Sequence, residues 1–140
     1  MCIRDRKKGI APGCTFLPVR IGFGLGARPI DIIEVFRYVS QRADVVNCSF
    51  GSPPSSTDLM PLPFRRELTQ LTKTGGRRGK GLVMVFSAGN YDAPTRLSRD
   101  QNINGVLFTS GNRIEAIPPA EEVYSRYPLT PGVVVVASMS

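Results

Sequence analysis

A chain of 140 residues has the length of one domain, enough to bury a core and too little for two ordinary domains. Its 41% hydrophobic and 21% charged residues lie in the range of globular chains and outside disordered, collagen-like or membrane-spanning compositions, while 18 Lys and Arg against 11 Asp and Glu leave a net +7 that admits acidic partners without selecting one. There is no histidine, so imidazole as base, acid or metal ligand is closed to this chain acting alone.

The lead, residues 1–8, is charged and has no apolar segment behind it, so it does not read as a signal peptide, and no apolar run approaches the length of a membrane span. Thr15 to Ile21 is β-rich and predicts a strand, broken by Gly22, Gly24 and Gly26. Pro29 suits a first helical turn. Ile32, Val35, Phe36 and Val39 then follow at the spacing of one buried helical face, with Asp31 and Glu34 early and Arg37 and Arg42 late, which predicts a helix over 30–42.

Asp44 to Ser49 reads as a short apolar strand stopped by Gly51-Ser52-Pro53-Pro54. Phe64, Leu68 and Leu71 predict a second amphipathic helix over 62–74, ended by Gly75-Gly76. Leu82 to Phe86 is apolar at every position, the pattern of a strand covered on both faces, and it runs into Ser87-Ala88-Gly89-Asn90. From Tyr91 to Arg113 the chain is polar and turn-rich, with one further strand at Val106 to Thr109; Val133 to Ala137 closes it as another buried strand. Strands alternating with helices predict an α/β fold, a parallel sheet with helices on both faces, with the strands near 15–21, 44–49, 82–87 and 133–137 parallel to one another.

Three motifs bear on chemistry. Gly22-Phe23-Gly24-Leu25-Gly26-Ala27 follows a strand and precedes a helix, as the turn that offers backbone amides to a pyrophosphate does. The acid expected at the end of the next strand to hold a ribose hydroxyl is missing, since Asp44 stands at that strand's beginning, and an ordinary glycine-rich loop is the competing reading. Asn90 ends a buried strand on the edge where open α/β sheets place ligands; it is either a turn residue bonding its own backbone or an amide donor aimed at a developing oxyanion. Asn47 to Gly51 ends its strand on the same edge. Arg65, Arg66, Lys73, Arg77, Arg78 and Lys80 form a basic run with no interleaved aromatic, which reads as a solvated face and not as a nucleic-acid reader. Cys2, Cys14 and Cys48 have neither disulfide-framework nor zinc spacing, and Cys48 reads as a small buried hydrophobe.

Gly9-Ile10-Ala11-Pro12, Ala43 to Gly51, Val83 to Asn90, and Tyr127-Pro128 leading to Val133 to Ala137 occur in the order and spacing of the subtilisin-like serine peptidases. The chain resembles the middle of a subtilase catalytic domain, over about 9–140, with an unmatched insertion around 101–123 and a lead at 1–8 foreign to the family. The resemblance implies that Asn90 is the oxyanion-hole asparagine. It implies that Ser49, Phe50 and Gly51 form one wall of the primary specificity pocket and Ser87, Ala88 and Gly89 the other. Gly22, Phe23, Gly24 and Leu25 would bind substrate as an added strand. The family's catalytic aspartate, histidine and serine motifs are absent here, and the family order places the first two before Gly9 and the third after Ser140, so truncation at both ends is the expectation.

The implied function is that of a fragment of a serine endopeptidase acting on peptide or protein substrates, without cofactor, metal, nucleic acid or membrane, and inactive as it stands. The family favours secretion. Two rival readings remain at this level: a nucleotide-binding α/β domain using the Gly22 to Ala27 loop, and a non-catalytic basic interaction module.

Overall fold

A computed structural model describes residues 11–22, 29–51, 53–56, 60–91 and 93–137. Helix α1 (Pro29–Ser40) leads to strand β1 (Val45–Cys48), helix α2 (Leu62–Thr74) and strand β2 (Val83–Ser87). Short strands β3 (Arg96–Leu97), β4 (Val106–Ser110), β5 (Arg113–Ile117) and β6 (Val123–Tyr124) follow, and β7 (Val134–Val136) ends the described chain.

The central sheet is parallel in the order β1, β2, β7, with Val46 opposite Met84, Cys48 opposite Phe86, and Phe86 opposite Val135. Side chains alternate across a strand, so this register puts Cys48, Met84 and Phe86 on one face. Ile33 and Phe36 from α1 and Phe64, Leu68 and Leu71 from α2 pack with them in a single core. Arg37 ties the helices together, its guanidinium donating to both carboxylate oxygens of Glu67 at 2.7 and 3.0 Å. At the start of β1, Asp44 accepts from the backbone and side chain of Arg77 at 3.0 and 2.9 Å, which fixes the turn between α2 and β2.

Among the described residues both helices pack on one face of the sheet, and Val45, Val83, Val134 and Val136 on the other face are 46–60% exposed. Val83 is as apolar as Met84 and points the other way. One expectation is corrected. The strand expected over 15–21 is not formed: residues 14–22 have no ladder partner among the described residues, and 14–20 are exposed. Pro18, in the middle of that run, has no N–H to give to a ladder. The Gly22 to Ala27 turn falls mostly outside the described residues.

Residues 91–125 build a second region with its own small core of Phe108, Ile117 and Val123. Here β4 and β5 form an antiparallel hairpin, and β3 pairs antiparallel with β6. The ladder ends at Ser110 opposite Arg113, leaving a two-residue loop, Gly111-Asn112, with Gly111 at φ +62°, the left-handed conformation such a hairpin turn requires at its first position. Asn102 is buried and donates its side-chain amide to the carbonyls of Pro118 and Glu121 at 2.9 and 3.0 Å, joining the two ends of the segment that carries the hairpin. Among the described residues no helix is long and apolar enough to cross a membrane.

Candidate functional site

The parallel ladder fixes where β1 and β2 end. Cys48 lies opposite Phe86, so Ser49, Phe50 and Gly51 leave the sheet beside Ser87, Ala88 and Gly89, and both segments emerge at the carboxyl edge. They bound a groove of about 520 Å³ together with Asn90. Seven of the residues singled out from sequence are thus gathered in one place. Gly22 is exposed and not part of the groove wall, while Phe23, Gly24 and Leu25 lie outside the described residues.

Several interactions hold the walls. On the β1 side, the Asn47 amide donates to the Ser49 hydroxyl at 3.0 Å. Phe50 stands edge-on to Phe86 and Tyr127, at centroid distances of 5.8 and 5.7 Å, and Tyr127 stacks on Phe86 at 4.9 Å. These contacts anchor the wall to the core beneath it, and burial raises the Tyr127 phenol above its ordinary pKa. On the β2 side, the Ala88 amide donates to Val136 at 2.9 Å, so β7 extends the ladder up to the groove. Gly89 has φ +103°, and a Cβ there would sit 2.8 Å from the Tyr91 ring. The segment therefore turns sharply just before Asn90, and only glycine turns there without strain.

Asn90 itself is exposed in the groove and makes no side-chain hydrogen bond to any described residue.

The sequence reading missed two parts of the site. Thr109 and Gly111, at the tip of the β4–β5 hairpin, line the groove opposite the strand ends, beside Tyr91. The Thr109 amide donates to the Tyr91 carbonyl at 3.3 Å and the Phe108 ring meets the Tyr91 ring edge-on at 6.3 Å, so the hairpin is docked against the Asn90 segment. The signal was present: Gly111-Asn112 between Val106 to Ser110 and Arg113 to Ile117 is a hairpin-loop pair. Ser125 and Pro128 complete the wall; Pro128 belongs to the Tyr127-Pro128 motif, and Ser125 carries none. Cys48 lies under the groove floor, its thiol pushed up to about 12 by burial, which removes it as a nucleophile. Asp44, the acid at the start of the second strand, is engaged by Arg77 in the glycine-rich turn between α2 and β2.

A sequence model of the subtilase family matches residues 3–136. Two curated relatives, each named calcium-dependent protease, come from Trichormus variabilis and from Nostoc sp.; each is 36% identical over 93 residues, 59% of this chain and 14% of the relative. The chain thus spans about a seventh of the length of the curated relatives it matches. No solved structure matches it.

Proposed function

We propose, from the premise that the chain belongs to the subtilase family, that it carries the substrate-binding wall and the oxyanion donor of a serine endopeptidase whose catalytic triad lies outside these 140 residues. Membership makes the parent a serine protease acting on peptide or protein substrates. The observation that carries the finer reading is the convergence of residues 49–51 and 87–90 on one groove, with a free Asn90 amide at its edge.

The chemistry follows from those positions. Exposed main chain at Ser49 to Gly51 pairs with an extended peptide, and Phe50 with the opposite wall at Ser87 to Gly89 receives a substrate side chain. When the parent's serine attacks the scissile carbonyl, charge develops on its oxygen, and the Asn90 side-chain N–H donates to it. The sharp turn at Gly89 fixes the backbone from which this donor projects, and an N–H aimed at the developing charge favours the tetrahedral species over the bound substrate. With no histidine in the sequence, no side chain here accepts the serine proton in the family's manner, and the 140-residue chain alone hydrolyses no peptide bond. The relatives are named for calcium; among the described residues no three His, Cys, Asp or Glu side chains are grouped to hold a metal ion. No step is derived through calcium.

Two measurements test this reading. A fluorophosphonate leaves the 140-residue chain unlabelled; labelling at Ser49 or Ser87 would relocate the chemistry. In the whole protein, Asn90→Ala lowers kcat by about 10²–10³-fold with little change in KM, a size taken over from subtilisin itself. Undiminished turnover would reduce Asn90 to a turn residue.

A further inference from the structure

At the seam between α2 and the β3–β6 ladder lies a second cavity, of about 240 Å³, lined by Met60, Arg65, Arg96, Tyr124, Arg126 and Leu129. Three arginines line it, Arg65 from α2, Arg96 from β3 and Arg126 from the segment just after β6. None of the three is paired with a carboxylate among the described residues, whereas Arg37 and Arg77 are. The Nε of Arg126 is buried without a hydrogen-bond partner. Glu122 accepts a hydrogen bond from the Tyr124 phenol and is not in the cavity wall.

The local field adds to the same sign. Arg65 sits in the first turn of α2, where the exposed amides of the helix already present positive charge; that turn has no acidic residue and no side-chain cap. Arginine stays protonated at any working pH, so the repulsion among the three is not relieved by losing a proton. A buried, unpaired N–H to a charged group costs free energy that a bound acceptor would remove. Planar guanidinium forks match tetrahedral oxyanions better than a point charge does. One wall is held in place by Thr130, whose hydroxyl bonds the Arg126 carbonyl at 3.3 Å and touches the Met60 sulfur at 3.9 Å. Met60 and Leu129 give the cavity an apolar side.

We infer that Arg65, Arg96 and Arg126 form an anion site, separate from the substrate groove, that binds a dianionic phosphate group. It does not depend on the proteolytic reading, because none of its residues lines the groove.

Inorganic phosphate and phenyl phosphate are titrated into the full chain at pH 7, against sodium chloride at matched ionic strength, and followed by calorimetry and by the arginine Nε–Hε resonances. Saturable binding that moves the Arg126 resonance is the expected result. Tighter binding of phenyl phosphate assigns the site to a phosphate ester resting on Met60 and Leu129; equal binding assigns it to the free ion. Arg126→Gln and Arg96→Gln each weaken binding by about tenfold or more, the loss of one hydrogen bond to a charged group. Arg77→Gln, which breaks the pair with Asp44, leaves binding unchanged. Should Arg126→Gln lose its far-ultraviolet dichroism, the exposed Arg96 decides alone. A response equal to that of chloride, or unchanged affinity in folded Arg96→Gln, overturns the inference.

Discussion

The two regions of the molecule are held together by different means. Around the parallel sheet, ten buried apolar residues form one core, eight of them from two helices and two strands with Met60 and Leu82 from the adjoining segments, and polar groups serve mainly at its margins, as in the Arg37–Glu67 pair. Between residues 91 and 125 the buried apolar set shrinks to Phe108, Ile117 and Val123, and a buried amide, that of Asn102, crosslinks the chain in place of packing. The first arrangement tolerates loss of a hydrogen bond better than loss of volume. The second has the opposite sensitivity, and the groove draws a wall from each.

The largest effect that this contrast predicts is at Phe86, which is fully buried and contacts Phe36, Phe50 and Tyr127. Phe86→Ala costs about 3–5 kcal/mol, a large share of the 5–15 kcal/mol of a whole domain, and chemical denaturation shows the entire molecule weakened. Asn102→Ala comes next, stranding the carbonyls of Pro118 and Glu121 at about 1–3 kcal/mol. Hydrogen exchange then accelerates across β4 and β5 but not across β1 and β2; equal acceleration in both would mean that the regions are one cooperative unit. Gly89→Ala follows: at φ +103°, and with the Tyr91 ring 2.8 Å from the new Cβ, it costs about 1–3 kcal/mol of strain. Its signature is disturbed peptide binding at the groove with the helices intact, read from amide chemical shifts.

Smaller effects come from titration and labelling. The Arg77 hydrogen bonds hold Asp44 below its ordinary pKa, so the stability they bring is present above pH 3.8 and is lost as pH falls through the depressed value. Acid denaturation of Asp44→Asn lacks that component; because the pair is exposed the difference is small. At the alkaline end the sign reverses for Cys48. Its thiol titrates near 9.0 when unfolded and about 12 when folded, so stability falls as pH rises across that window. At pH 8 an alkylating reagent modifies the exposed Cys14 and spares the buried Cys48 until the parallel-sheet core opens. Rapid modification of Cys48 in the native chain would show that this core is looser than its packing implies.

The same contrast explains what the sequence discloses. Helix α2 and strands β1, β2 and β7 come within a residue or so of their expected bounds, and α1 ends two residues early, because periodic apolar side chains face a large common core. Strands β3 and β6 are two residues each and pair across 25 residues of intervening chain, which leaves no local period to find. Of the site, the strand-end segments were legible as motifs. The hairpin wall was not, although Gly111-Asn112 marked its turn, because nothing local says that Phe108 meets Tyr91. Pro18 carried the warning against the first strand.

The pairing of β2 with β7 has a consequence for how chains of this kind can change length. Everything between Ser87 and Val134 is an excursion from one strand to its immediate neighbour, and among the named strands β3 to β6 ladder only with one another. Lengthening such a detour adds closure entropy only logarithmically, about 0.6 kcal/mol for each doubling, and leaves the β2–β7 register untouched. Insertions here can therefore accumulate, be trimmed or be exchanged wholesale while the groove edge of the sheet keeps its alignment. Each one that folds back, as the β4–β5 hairpin does, arrives already placed at the mouth of the groove.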